Sequence, residues 1–474
     1  MLTKDHSNIS PIHRRSFLQT SGLGVGAAAL QSMLLKDSFG SNPGVSGLPD
    51  LPFKAKRVIF LCMAGGPSHL ETFDYKPKLD ELHGKPMPES FTKGQPIAQL
   101  RGQQLKVQGH MTKFNRYGES GQLISDYLPW TAKMADDICI INSMLTEQIN
   151  HDPAHTFMNT GTGISGRPSM GSWINYGLGS DSDELPGFVV LTSVGGRNPQ
   201  PIASRQWASG FLPGRFQGVE FSSTGDPVNY LKNPGNVSAR NQRHVVDAIK
   251  SLDQSRNKTL QEDDILTRIS AYEMAFKMQT SVPELMDFSD EPQHIIDMYG
   301  AKQGDGTYAT NCLLARRLAE RGSRFIHLYH RGWDHHGGLE KYMDICSGLT
   351  DKPTWALLTD LKQRDMLKDT LIVWGGEFGR TPMYQGKGGA GRDHHMKGFS
   401  MWLAGGGVRG GVTYGATDEL GYNSVDNVVH IRDLHATMLH LLGIDHKRFT
   451  YQYQGLDSRL TGVEEARVVN DIIL

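Results

Sequence analysis

The sequence predicts an α/β fold: a mostly parallel central sheet with helices on both faces and a helical insertion. Three observations point there. Short, continuous apolar runs recur along the chain, most of them border glycine or proline, and amphipathic stretches of helical period separate them. An apolar run of four to eight residues that stops at Gly or Pro reads as a strand buried on both faces. Strands that alternate with helices in one chain form parallel sheets.

The elements follow in order. Lys54-Ala-Lys-Arg57 leads into a strand at Val58–Met63, which stops at Ala64-Gly-Gly-Pro67. Further strands are expected at Ile138–Ile141, Phe188–Leu191, Phe325–Tyr329, Leu371–Trp374 and Ser400–Ala404. Residues 262–279, Trp355–Leu361 and Leu434–Leu442 carry the polar start and apolar spacing of amphipathic helices. Asp433 reads as the cap of the last, and His435 beside it as a packed histidine. Trp333 and Trp402 read as core or pocket walls. Residues 225–300, richer in charge, read as a helical insertion or cap on a domain spanning 52–460.

Composition narrows the class. Of 474 residues, 38% are hydrophobic, enough for a sizeable core and against disorder as the dominant state. Lys and Arg number 49 against 50 Asp and Glu, so no basic excess exists to hold a nucleic acid. Cys62, Cys139, Cys312 and Cys346 are scattered with no Cys-x-x-Cys pair, which excludes a zinc ribbon and a disulfide scaffold. Arg14-Arg15-Ser-Phe-Leu18 precedes a Gly/Ala-rich run, too short for a span of ~20 apolar residues. Residues 1–40 therefore resemble a twin-arginine export signal, with the twin-arginine machinery as partner and a periplasmic or secreted location. No stable membrane span is expected.

In open α/β sheets, sites form beyond the carboxyl ends of the strands. The first strand is followed by Gly65-Gly-Pro-Ser68-His69 and, further on, Glu71 and Asp74. The Phe325–Tyr329 strand is followed by Asp334-His335-His336, and the Leu371–Trp374 strand by Glu377 and Arg380. Arg392-Asp393-His394-His395 stands just before Ser400–Ala404. Two Asp-His-His clusters and a carboxylate at strand ends offer the imidazole and carboxylate ligands of a divalent metal: Zn, Mn, Ca or Fe.

The same residues carry a resemblance. Thr370-Leu-Ile-Val-Trp-Gly-Gly-Glu377-Phe-Gly is similar to the sulfatase pattern Thr-Leu-Val-Ile-Phe-Thr-Ser-Asp-Asn/His-Gly. Asp433-Leu-His-Ala-Thr-Met-Leu-His-Leu-Leu-Gly443-Ile resembles its Asp-Leu-Ala-Pro-Thr-Leu-Leu-Asp-Leu-Leu-Gly-Ile. Asp334-His-His336-Gly-Gly and Gly391-Arg-Asp393-His394 resemble segments of alkaline phosphatases and phosphopentomutases. Met63-Ala-Gly-Gly-Pro-Ser-His69, Phe73-Asp-Tyr-Lys-Pro77 and Gly379-Arg-Thr-Pro382 resemble the secreted, sulfatase-like branch catalogued as domain of unknown function 1501. The resemblance covers roughly residues 55–445 and implies an alkaline phosphatase/sulfatase-like fold. It further implies that Asp334, His336 and His394 hold one metal and that Glu377 belongs to a second.

The departures are as informative. Phe378 replaces the Asn or His expected after Glu377, and Gly65-Gly66 replaces an Asp-Asp pair, for which Ser68, His69, Glu71 or Asp74 would have to substitute; His335 and His395 are further possible ligands. His151-Asp-Pro-Ala-His155 fits the spacing of the sulfatase Cys-x-Pro-Ser-Arg, with His151 at the nucleophile and His155 at the arginine. A formylglycine mechanism is thereby excluded at this position. His151 attacks, or water activated on a metal attacks while His151 and His155 hold the oxyanion, or the site binds without turnover. The expectation is an exported metal-dependent hydrolase of sulfate or phosphate esters, on small molecules or polysaccharides, with Arg380 and Arg392 binding the anion. The alternative is a catalytically retired sulfatase fold that binds metal or sulfated glycan.

Overall fold

The computed structural model describes residues 42–196, 200–228, 238–260, 263–386 and 389–474. The export signal expected at residues 1–40 lies outside them. A nine-stranded sheet organises the chain. Its strands are β1 (Arg57–Ala64), β2 (Ile138–Leu145), β3 (Phe188–Ser193), β4 (Val219–Phe221), β5 (Phe325–Arg331) and β6 (Thr370–Gly375). A separate hairpin, β7 (Gly379–Gly386) and β8 (Ala390–His395), precedes β9 (Phe399–Ala404), β10 (Val412–Tyr414) and β11 (Val429–His430). The spatial order is β10-β2-β9-β6-β1-β5-β3-β4, with β11 also on β2. All six expected strands form, each slightly longer than its apolar run.

Every neighbouring pair is parallel except the two made by β9, which runs against β6 and β2. That reversal has a consequence for the site. Chain rising along β6 turns through the β7–β8 hairpin and descends along β9, so the hairpin sits beyond the carboxyl ends of β1, β2, β5 and β6. Sequence pattern could not predict the reversal, because a buried strand reads alike in either direction.

Apart from short helices such as Pro77–Glu81 and Glu89–Thr92, the helices are α1 (His151–Thr160), α2 (Met170–Leu178), α3 (Ala239–Leu260), α4 (Asp263–Met286), α5 (Gln293–Tyr299), α6 (Tyr308–Glu320), α7 (Leu339–Gln363) and α8 (Ile431–Leu441). Side-chain alternation divides them into two layers. Ile59, Leu61 and Met63 of β1 face a core shared with α4, α6 and α7. Val58, Phe60 and Cys62 face the other core, built with α1, α2 and α8. The observed architecture is thus α/β with helices on both faces of a mostly parallel sheet. Residues 225–300 contribute α3, α4 and α5. Among the described residues no helix is long and apolar enough to cross a membrane.

Local chemistry corrects one cap. Asp433 is the third residue of α8 rather than its cap: His430 caps the helix, accepting from Arg432 N, and Asp433 accepts from His430 N at 3.0 Å. His435 is buried and packed, its ring bonded to Met158 O at 2.8 Å. Trp333 and Trp402 are core residues.

Candidate metal centre

Three strand ends and the hairpin bring six side chains together. His151 opens α1, six residues beyond the end of β2, and Asp152 and Pro153 suit a first turn: one complements the helix dipole, the other lacks only an N–H the turn does not use. His155, one turn later, lies on the same helix face. Asp334 and His336 follow β5, Glu377 follows β6, and His394 lies on β8.

Asp334 Oδ1 lies 3.0 Å from His336 Nε2 and 3.2 Å from His394 Nε2, and these two nitrogens are 2.9 Å apart. Asp334 Oδ2 lies 3.3 Å from His151 Nε2. The protonation pattern follows from the partners. His394 Nδ1 donates to Ile149 O at 3.0 Å, and His336 Nδ1 donates to Gln385 Oε1 at 2.6 Å. Each ring therefore keeps its lone pair on Nε2, and Gln99 Nε2 donates to that of His336 at 3.1 Å. Burial pushes His394 down to about 4, so its imidazole is neutral at pH 7. Two imidazole lone pairs and a carboxylate oxygen repel one another at such distances unless a cation lies among them. Four ligand atoms around a cation at about 2.0–2.1 Å stand about 3.3 Å from one another. The donor set and its spacing therefore fit a divalent metal.

A second group meets on the other side of the His151 ring. Nδ1 donates to Glu377 Oε1 at 2.6 Å, and His155 Nε2 lies 3.4 Å from the same oxygen. His155 is fully buried, yet neither of its nitrogens has a hydrogen bond among the described residues. Gly65 N and Gly66 N both donate to Glu377. Burial alone would favour the protonated acid; the neighbouring His155 and His151 outweigh it and hold Glu377 below the usual carboxylate range. Burial likewise opposes ionisation of Asp334, but the Arg380 guanidinium beside it outweighs burial and holds that carboxyl far down. Burial lowers His155, whereas for His151 the nearby carboxylates of Asp334 and Glu377 overcome the effect of burial and raise it.

The remaining expected residues lie elsewhere. Arg392 does not face an anion: it is buried, its guanidinium bonded to Glu71 at 2.7 Å and to the carbonyls of Gln108 and Gly109. Arg380 is buried too, donating to Asp334 at 2.7 Å and to Gly65 O and Gly66 O, so it orients a carboxylate rather than clamping a ligand. His335 turns away from the cluster to Gly332 O, and His395, on the opposite side of β8 from His394, turns to Tyr422 O. His69 bonds Gly421 O, Ser68 bonds Glu71, and Asp74 bonds Thr417 and Lys76.

None of these replaces the Asp-Asp pair, and the geometry at the end of β1 says why. Gly65 has φ +123°, and a Cβ there would stand 2.5 Å from Asp334 N; a Cβ on Gly66 would stand 2.7 Å from the Phe378 ring. Only glycine fits, and its amides bind Glu377 instead. Phe378 packs against His151 and His394, ring centroids 4.9 and 4.7 Å away.

The family model for a protein of unknown function, DUF1501, matches residues 55–473. The chain belongs to the DUF1501 family, described as a protein of unknown function. No curated protein matches the sequence. Among solved structures, this DUF1501 protein is similar to the PsFucS1 sulfatase from Pseudoalteromonas sp., with 11% identity over 82% of this chain and 68% of that one, at a TM-score of 0.32. For the lipoteichoic acid synthase LtaP from Listeria monocytogenes the values are 10%, 89%, 78% and 0.35. For the alkaline phosphatase from the Antarctic bacterium TAB5 they are 10%, 75%, 92% and 0.27.

Sequence reasoning missed several supporting residues of the candidate centre. Gln385 fixes the His336 ring and itself donates to Gln99 Oε1 at 3.1 Å. Asp393 accepts from Gln99 N and Leu100 N, tying the hairpin to the loop that carries Gln99. Arg205 stands at the rim, bonded to Asp152. Asp393 stood in a quoted motif, but no motif announces Gln99, Gln385 or Arg205; for Gln99 and Gln385 the His336 ring they bond was the available signal.

Proposed function

We propose that this protein is an exported, metal-dependent hydrolase of sulfate or phosphate esters. One observation carries the reading: imidazole nitrogens and carboxylate oxygens converge, at ligand spacing, beside the start of α1. A bound divalent cation supplies Lewis acidity to an ester oxygen and brings the pKa of a bound water from 15.7 towards about 7. The protein's own residues do the rest. His336 and His394 are held with lone pairs inward by Gln385 and Ile149 O. Arg380 keeps Asp334 ionised and aimed at the cluster.

His151 occupies the nucleophile position of the sulfatase pattern, but both its nitrogens face carboxylates, at 2.6 and 3.3 Å. Attack by His151 would need one of them to turn out, so water is the nucleophile in this reading. The N–H groups opening α1 and the exposed Arg205 offer positive charge to the tetrahedral anion. Export by the twin-arginine route completes the proposal, resting on Arg14 and Arg15; changing both to Lys is expected to leave the protein in the cytoplasm, and normal export would remove that part.

The test of the chemistry is turnover of 4-nitrophenyl sulfate and 4-nitrophenyl phosphate by metal-replete protein. Hydrolysis of one of them is expected, abolished by a chelator and restored by the metal. Metal-replete protein that cleaves neither would leave the binding role in its place.

A further inference from the structure

The two ligand groups meet on a single ring. His336 and His394 each turn one nitrogen inward and spend the other on an outer acceptor, Gln385 Oε1 and Ile149 O. That is the usual arrangement of a histidine holding one ion. His151 differs. Its Nε2 faces the Asp334–His336–His394 group, while its Nδ1 faces Glu377, which is grouped in turn with His155. His155 is fully buried and packed one helical turn from His151, with both nitrogens lacking a hydrogen bond among the described residues. A buried imidazole so placed costs free energy unless something binds it. What stands beyond His151 Nδ1 is thus a second set of ligand atoms rather than an outer support.

We infer that His151 is a bridging ligand, binding one divalent cation through Nε2 with Asp334, His336 and His394 and a second through Nδ1 with Glu377 and His155. As each nitrogen's lone pair becomes a metal–nitrogen bond, His151 releases its ring protons to solvent and binds as imidazolate. Phe378, packed against the His151 ring, leaves the second ion no ligand at that position, and Gly65-Gly66 supplies amides rather than carboxylates. His155 makes up the loss. The i, i+4 spacing of His151 and His155 is then a ligand pair on one helix face.

The inference rests on the metal-dependent reading only in that cations bind. The test loads the folded protein with Cu(II) as probe, and measures copper per chain together with electron paramagnetic resonance. Two coppers per chain are expected, magnetically coupled through the imidazolate, with integrated signal well below that of two isolated spins and a half-field transition. His155→Ala is expected to hold one copper with a full one-spin signal. One copper per wild-type chain, or two coppers with uncoupled spins, would overturn the bridge, as would a coupled pair that survives in His151→Ala. The outcomes separate from those of the ester assay. A coupled pair in a protein that turns over no ester leaves the bridge and removes the hydrolase; a single ion in a protein that does turn over ester does the reverse.

Discussion

At the scale of single residues, the side chains that matter here are defined by what their second atom touches. His394 and His395 are neighbours in sequence and alike in chemistry, yet strand alternation sends one to Asp334 and the other to Tyr422 O. In the loop after β5, His336 turns to Asp334 while His335 turns to Gly332 O. The sequence shows two Asp-His-His clusters but not which histidine of each turns inward, because that depends on backbone register no local pattern encodes. Arg392 was equally opaque: an arginine between a glycine and an aspartate reads as an anion clamp until its partner Glu71, far away in sequence, is seen. Gln385 gives the sharpest test at this scale. Replacing it with Leu removes the acceptor that fixes the His336 tautomer, and metal affinity is expected to fall roughly 10–100-fold. Competition against a chelator of known affinity measures it, and unchanged affinity would deny Gln385 its role.

Elements explain which parts of the fold were legible. Strands buried on both faces must be continuous apolar runs, so β1, β2, β3, β5, β6 and β9 could be read directly. The β7–β8 hairpin could not, for its strands are polar residues buried against one another and the site: Arg380, Thr381, Gln385, Arg392, Asp393 and His394. The long helix α7 was read only near its end, since its first half buries a sparse stripe including Met343 and Cys346. Asp351, in the middle of α7, accepts from Trp130 N, Thr131 N and the Thr131 hydroxyl at 2.7, 2.8 and 2.6 Å, and so ties the helix to the turn before β2. Asp351→Ala leaves those donors without it and is expected to cost about 2 kcal/mol or more in denaturant unfolding. Burial raises this carboxyl to about 6, against about 3.9 in an unfolded chain. A raised carboxyl binds a proton on folding, so its favourable contribution is full below about 4 and is lost as pH rises through 6. The wild-type protein should show this component of the pH profile and Asp351→Ala should lack it; identical profiles would contradict the assignment.

On the scale of the whole molecule, the reversed strand β9 makes the centre possible. It returns the chain through a hairpin over the carboxyl edge of the sheet, so that residues from 65 to 394 meet within a few ångströms. The sequence carried the candidate ligands and their order along the chain. It did not show that Gly65 and Gly66 admit no side chain, which comes from their closeness to Asp334 and Phe378. Nor did it show that His151 faces two carboxylates at once. The central claim is that this edge of the sheet is a metal centre built on Asp334. The most direct test is metal content by inductively coupled plasma mass spectrometry on the mature protein and on Asp334→Ala, with circular dichroism to compare their folds. The wild type is expected to carry at least one equivalent of divalent metal per chain, and Asp334→Ala, equally folded, to lose most of it. Wild-type protein that stays metal-free after reconstitution, or a folded Asp334→Ala protein with undiminished metal, would contradict the account.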